Sequence, residues 1–455
     1  MVLETVNPAT GELLKEYDED TTSDVEKKLE TANEAFQEWR KLDIGERQVV
    51  VKQAGEILRE NVDDYARLIT EEMGKPITEA IAEVNKCVWV CDYYAEQGAE
   101  HLQSERIGTE PEAKTYVTHE PLGPVLAVMP WNYPYWQVFR FAAPALVAGN
   151  VGVFKHASNV PGCALEIEAI FREAGAPEGV FTSLLVGSDR VQDLIEDDRI
   201  RAVTLTGSEG AGRAVGETAG RSLKKSVLEL GGSDPFIVLD DADIDKVAEK
   251  ATEARSQNSG QSCIAAKRFL VHEDVYEEFI DAFVQETESL DVGAPLQPET
   301  DVGPQARAGL LEELHEQVEA SIEAGADVVI GGEPLPREGN FYPPTILTDV
   351  PADCPAAYEE LFGPVSAVFE VSDEAEAIAS ANDSRFGLSA TVWTEDRERG
   401  ERIANELEAG MTFVNAVAKS DPRLPFGGIK DSGYGRELAA DGIKEFVNRK
   451  TVWIE

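Results

Sequence analysis

The sequence predicts an α/β protein: two Rossmann-like parallel-sheet domains plus a small β arm. Three observations predict it. From Pro124 onward, short apolar runs alternate with amphipathic helical segments of about 10–15 residues, the pattern of a βαβ series whose parallel sheet is covered on both faces. A second series of the same kind begins near Pro235. Between the N-terminal helices and the first series lies a polar stretch, Gln103–Gly123, whose alternation at Tyr116, Val117 and Thr118 reads as an extended arm.

The elements follow in order. Val25, Leu29, Ala32, Phe36 and Trp39 mark one face of a helix capped near Ser23. A second helical pattern follows Gly45, and a longer one runs from about Pro76 to Leu102. The strands of the first series are VLAVM (125–129), VGVF (151–154), VFTSLLV (180–186) and AVTLT (202–206). Those of the second are PFIVLD (from 235), RFLV (268–271), ADVVI (326–330), SAVFEV (366–371) and ATVWT (390–394). There are no repeats and no low-complexity linker, so the domains should pack closely. The expected division is 1–103 with 124–232 for the coenzyme domain, 233–436 for the catalytic domain, and 104–123 with 437–455 for the arm, which includes a C-terminal strand near TVWIE.

The 455-residue length suits two or three domains, and 42% apolar with 7% aromatic residues fits an ordinary globular chain. No run approaches the roughly 18 apolar residues of a membrane span. The first residues lack the basic and apolar regions of a signal peptide, so a cytoplasmic location is expected. Five cysteines are too few and scattered for a disulfide framework. Cys87 and Cys91 lie one helical turn apart, but nothing nearby completes a metal site, and no metal is expected. The 86 acidic against 41 basic residues give a net charge of −45, which disfavours nucleic-acid and anionic-membrane partners. Self-repulsion of that size opposes compaction in dilute buffer and fades at molar salt, where the Debye length is about 3 Å. The acids are spread along the whole chain, as expected for a protein of a high-salt, halophilic cytoplasm.

Several segments carry chemistry. LELGG, with Glu229, precedes GQSC, with Cys263. A thiol nucleophile needs activation, and a nearby carboxylate takes a proton from it or from water. Cys263 has the small polar neighbours Asn258, Ser259, Gly260, Gln261 and Ser262; taken alone, that setting leaves a structural cysteine open. MPWNYP follows a strand and precedes a helix, so Asn132 sits at the carboxyl end of a sheet strand, where its amide would donate to an oxyanion or simply shape a turn. TGSEGAG follows AVTLT and opens a helix, placing Gly207, Gly210 and Gly212 where a pyrophosphate approaches, although the spacing is not GxGxxG. Lys155 ends the strand VGVF, within reach of a ribose or phosphate or simply at the surface. EELFGPV sets a carboxylate pair beside Phe362, an acidic turn if nothing more.

In order and at these spacings, PWNYP, the lysine strand, TGSxxxG, LELGG, GQSC, EExFGP and PFGGIKDSGYGRE resemble the aldehyde dehydrogenase superfamily over most of the chain, from NPATGE (7–12) to GRE (435–437). The resemblance implies that Cys263 attacks an aldehyde, that Asn132 and the Cys263 backbone N–H hold the oxyanion, and that Glu229 activates the water that hydrolyses the thioester. It implies NAD or NADP bound by Trp131, Lys155, Ser158, Gly207, Ser208, Gly212, Glu360 and Phe362, with Lys155 on the adenine ribose, Gly207, Ser208 and Gly212 on the pyrophosphate and Glu360 on the nicotinamide ribose. Acylating relatives typically lack the glutamate at 229, so its presence implies a free acid as product. It also implies a homodimer or homotetramer.

Arg140 lies eight residues, about two helical turns, after Asn132. There the chain is most similar to short-form bacterial succinate-semialdehyde dehydrogenases, in which an arginine grips the distal carboxylate. Gln257 stands where many such enzymes have a second arginine, so other ω-carboxylated aldehydes, or a generic aliphatic one, stay open. Ser420 is expected to add a hydroxyl contact. Ala265 stands where some relatives have a second cysteine, which excludes a local disulfide switch. Ser158 replaces the glutamate frequent in NAD-specific members, so a 2′-phosphate should be tolerated. A non-catalytic binding protein on the same scaffold is the rival from another class; retention of Cys263, Glu229 and Asn132 together argues against it.

Overall fold

The computed structural model describes residues 2–110 and 113–455; Met1 of the expected coenzyme domain and positions 111 and 112 of the expected arm lie outside the described residues. The chain opens with an antiparallel hairpin, Val2–Val6 against Leu13–Asp18, which the sequence does not announce. Helices Thr22–Trp39, Ile44–Glu60, Val62–Met73 and Ile77–His101 follow. The face predicted for the first is buried at Val25, Leu29, Ala32, Phe36 and Trp39. Its cap is Thr21, not Ser23. The Thr21 hydroxyl accepts from Asp24 N, and the Asp24 carboxylate accepts from Thr21 N, a capping box that starts the helix before Ser23.

The first sheet has the spatial order Gly433–Tyr434, Lys225–Glu229, Ala202–Thr206, Pro124–Val128, Val151–Lys155, Phe181–Ser183. All neighbours are parallel except the first pair, so the chain beyond the second sheet returns one short antiparallel strand to this sheet. The second sheet runs Asp327–Ile330, Thr345–Thr348, Val365–Val371, Ala266–His272, Asp234–Val238, Ser389–Trp393, Met411–Val414, parallel apart from its first, antiparallel edge. The arm is antiparallel: Val447–Ile454, Lys114–Pro121, Glu105–Arg106. The central strands are buried at every position, which is why they read as continuous apolar runs.

Strand order positions the site. In the first sheet, Pro124–Val128 has the later strand Val151–Lys155 on one side and Ala202–Thr206 on the other, so the winding reverses between Pro124–Val128 and Ala202–Thr206. A crevice opens at the carboxyl ends of such a pair. Asn132 follows the first of these strands and Gly207 the second.

The helix after Asn132, Trp136–Ala148, is buried at all of its positions. Glu83 holds its start: Oε1 accepts from the backbone N–H groups of Tyr135 at 2.8 Å and Trp136 at 3.0 Å, and Oε2 pairs with the fully buried Lys75. A carboxylate there also complements the helix dipole. Removing one partner of a buried pair leaves the other charge uncompensated. Glu83→Ala is therefore expected to lower unfolding stability by about 3 kcal/mol in urea titrations, and the double change Lys75→Met with Glu83→Gln to recover part of it.

Candidate active site

The crevice is a cavity of about 780 Å³. Its lining includes Trp131, Asn132, Gly207, Ser208, Cys263, Glu360 and Phe362, residues drawn from both sheets. Cys263 is half-buried, whereas Cys87, Cys91, Cys163 and Cys354 are buried free thiols.

The loop that presents Cys263 is built by local backbone constraint and by charge. Asn258 and Ser259 adopt left-handed conformations at φ 54°, followed by Gly260 at φ +75°. A Cβ on Gly260 would lie 2.3 Å from the Gly363 carbonyl, so only glycine fits. The buried Arg255 guanidinium donates to Gly260 O at 2.6 Å, Gly363 O at 2.5 Å and Ala266 O at 2.7 Å. Lys267, almost fully buried, donates to Ser262 O at 2.9 Å and Cys263 O at 2.7 Å, and its ammonium is 3.3 Å from Glu360. The loop is clasped to the first sheet from both sides: Asn258 Nδ2 donates to Asn132 O at 2.8 Å, and Asn132 Nδ2 donates to Gln261 O at 3.0 Å. Gln137 Nε2 donates to Asn132 Oδ1 at 3.1 Å and fixes the amide's orientation. One of the two Asn132 N–H donors is thus engaged within the protein.

Burial pushes the Cys263 thiol up to about 12; the Lys267 and Arg140 charges pull it down, and Glu360 and Asp234 raise it. Glu229 ends the strand Lys225–Glu229, is 2% exposed, and has no hydrogen-bond partner on either carboxylate oxygen. Burial, then the like charge of Glu437, hold its carboxyl well above the usual range, against Arg140 and Arg436. It stands outside the cavity lining, with Gly427 packed against its carboxylate. Glu360 accepts from Gly232 N at 3.0 Å besides its contact with Lys267, and burial raises its carboxyl. Phe362 meets Trp131 edge-on, with ring centroids 5.7 Å apart.

Ser208, on the cavity wall, also caps the helix Glu209–Arg221. Other expected residues lie off that wall: Gly212 lets the same helix pack against Leu230, whose Cδ1 would be 2.5 Å from an added Cβ. Lys155 is buried at the end of its strand, and burial lowers its ammonium pKa. Ser158 is exposed in the turn beyond. Arg140 is buried, with Nε paired to Glu437, Nη2 donating to Thr206 Oγ1 at 3.3 Å, and the guanidinium 4.5 Å from the Phe426 ring. Gln257 spends its amide on Ala254 O at 3.3 Å. Ser420 is buried and accepts from Lys86 Nζ at 2.7 Å.

Sequence reasoning misses Lys267, Arg255 and His156. His156 links the coenzyme strand to the Asn132 loop, with Nε2 2.9 Å from Pro134 O and Nδ1 3.3 Å from Met129 O, and burial holds its imidazole down to about 4. Two adjacent cations, Lys267 and Arg268, opening the strand AKRFLVH ahead of its apolar run are the signal that could have found Lys267. Among the described residues, no group of three or more His, Cys, Asp or Glu side chains gathers for a metal.

Comparison with known proteins agrees with this geometry. The model of the aldehyde dehydrogenase family matches residues 1–452. A probable succinate-semialdehyde dehydrogenase [NADP(+)] of Synechocystis is 52% identical over the full length of both chains. Succinate-semialdehyde dehydrogenase [NADP(+)] 1 of Mycobacterium tuberculosis is 46% identical, again over the whole of both. The crystal structure of succinic semialdehyde dehydrogenase from Streptococcus pyogenes in complex with NADP+ superposes with a TM-score of 0.97 at 40% identity, covering 99% of each chain.

Because burial is the leading cause of the raised thiol, Cys263 stays protonated through neutral pH without coenzyme. Its alkylation by iodoacetamide, followed by peptide mass spectrometry, is expected to keep accelerating beyond about pH 10 without a plateau. Lys267→Met should slow it further at every pH. A plateau near neutrality would contradict this electrostatic account.

Proposed function

The chain belongs to the aldehyde dehydrogenase family, and from that premise we propose that it oxidises succinic semialdehyde to succinate with NAD or NADP. One observation carries the chemistry: the half-buried thiol, Cys263, shares a cavity wall with Asn132 and Glu360 at the switch point of the first sheet. The cavity fits a dinucleotide. Gly207 and Ser208 bring the helix Glu209–Arg221 to it amino end first, which suits a pyrophosphate, and Glu360, Trp131 and Phe362 line the end near the thiol. Bound there, the nicotinamide supplies a hydride acceptor.

Cys263 gives its thiol proton to solvent water, the thiolate sulfur forms a C–S bond to the aldehyde carbon, and the aldehyde oxygen becomes an oxyanion. Asn132 Nδ2 and the Cys263 backbone N–H donate to that oxygen. Loss of hydride leaves a thioester on Cys263. Glu229 takes a proton from water, the water oxygen attacks the thioester carbon, and the C–S bond breaks to release the acid and the thiolate. A carboxyl held well above its usual range is suited to that task, since it takes and releases a proton closer to neutrality.

Arg140 supports the choice of substrate. Its guanidinium is buried beside the thiol and carboxyl that it influences electrostatically, Cys263 and Glu229. A buried planar donor recognises a carboxylate. The amide of Gln257 turns to its own helix, which favours looser recognition and a second reading in which other ω-carboxylated aldehydes also react. The arm supports assembly into a homodimer or homotetramer: its edge strand Val447–Ile454 leaves Trp453 and Ile454 about half exposed.

With assays run in molar salt to suit the acidic surface, succinic semialdehyde should give the highest kcat/KM in an aldehyde panel followed by NAD(P)H absorbance. Arg140→Ala should cut that kcat/KM by about 100-fold while sparing an uncharged aldehyde much more. Equal losses for both would sink the assignment. Ser158 lies exposed just past Lys155, so Ser158→Glu should raise KM for NADP at least about tenfold and leave KM for NAD nearly unchanged. Equal effects on the two would refute a role for Ser158 at the 2′-phosphate.

A further inference from the structure

We propose that Lys86 is a second substrate-binding cation, which with Ser420 and Arg140 takes the distal carboxylate of the aldehyde; this rests on the succinic semialdehyde reading above. Lys86 lies on the helix Ile77–His101, which packs against the helix Trp136–Ala148 that carries Arg140. Its Nζ donates to Ser420 Oγ at 2.7 Å and sits 4.6 Å from the ring centroid of Trp136, one helical turn before Arg140. Ser420 and Phe426 belong to one segment, and Phe426 supports the Arg140 guanidinium at 4.5 Å. That segment continues into Gly427, against which the Glu229 carboxylate packs. Two cations from different helices thus come together beside one hydroxyl, within electrostatic reach of each other and of the proposed base.

The charge balance of this cluster favours a bound anion. Arg140 already spends Nε on Glu437, so by itself it offers a substrate a largely neutralised pair. Lys86 has no such partner: among the described residues no carboxylate lies within ion-pair distance of it. The acids nearest to it are committed elsewhere. Glu83 is held by Lys75 and two backbone N–H groups, and Asp421 is held by Arg423 at 2.6 and 2.9 Å. In a chain with twice as many acids as bases, a half-buried lysine without a carboxylate is out of place unless a ligand brings one. Burial, with the neighbouring Arg140 charge, brings its ammonium down to about 8; Cys87, Glu83 and Asp421 act in the opposite direction. A mobile anion that bridges the two cations relieves their repulsion.

The test compares succinic semialdehyde with butanal, an uncharged aldehyde of equal chain length, in steady-state kinetics of the full-length enzyme. Lys86→Met should raise KM for succinic semialdehyde about tenfold with kcat nearly unchanged, and leave KM for butanal within about twofold. Lys86→Arg should restore most of the affinity. In the wild type, KM for succinic semialdehyde should rise as pH passes about 8, where the ammonium loses its proton, and this rise should be absent from Lys86→Met. Parallel changes for both aldehydes would mean a packing role and overturn the proposal. So would an unaltered preference in Lys86→Met alongside a lost preference in Arg140→Ala, which leaves the substrate reading intact. A wild type that does not distinguish the two aldehydes overturns both.

Discussion

The Cys263 loop is held by two buried cations, and the rest of the site depends on them. Among the described residues Arg255 pairs with no carboxylate and Lys267 with Glu360 alone; both mainly satisfy backbone carbonyls of the loop and its neighbours. A loop with consecutive left-handed residues cannot pair its carbonyls in a helix or sheet, and buried carbonyls without donors are costly. Placing charged donors beneath them resolves this, because hydrogen bonds from an ionised donor are stronger than neutral ones. The same arrangement sets the chemistry. Lys267 touches the Cys263 carbonyl and Glu360 together, so two residues of the cavity wall share one anchor.

The loop so anchored faces the first sheet, with which the second sheet does not pair. The hydrogen bonds between Asn132 and the loop, through Asn258 and Gln261, are part of the polar seam between the two, together with Asn258 N donating to Glu79 and the pair Arg385–Glu209. Asn132 is therefore both a bridge and the proposed oxyanion donor. Its position follows from the reversal of strand order in the first sheet, and its orientation follows from Gln137 in the first turn of the next helix. Glu83 holds the start of that helix from a third direction, so Asn132, Arg140 and the crevice are positioned by one element.

Much of this is legible in the sequence, for physical reasons. AVTLT and the lysine strand are buried on both faces, so their apolar runs mark them almost residue by residue. Lys225–Glu229 escapes notice because Lys225 is exposed and Ser226 half-buried at its outer end. Thr345–Thr348 and Met411–Val414 have four residues each, too few for alternation to declare itself. Helix Val62–Met73 starts directly after Asn61 closes the preceding helix, so the two patterns merge. At the site, Cys263, Asn132 and Glu360 stand in motifs, whereas Arg255, Lys267, His156 and Glu83 act on partners that are adjacent only once the chain has folded. The pairing of Arg140 with Glu437 belongs to the same class: the two are distant in sequence, and periodicity says nothing of their contact.

The contrast between surface and interior then explains how an acidic chain handles anions. At −45 its outer field repels both a dinucleotide and a carboxylated aldehyde in dilute buffer. At molar salt the field reaches only about 3 Å, so neither repulsion nor steering acts at a distance. Discrimination must then come from charges that touch the ligand and are shielded from the salt by burial. The cations near the reacting centre meet this condition: Lys267 and Arg140 are almost wholly buried, and Lys86 is half-buried against Trp136. On the substrate reading proposed above, surface acids can accumulate without changing what the site selects, because Arg140 and Lys267 are shielded from mobile ions by burial.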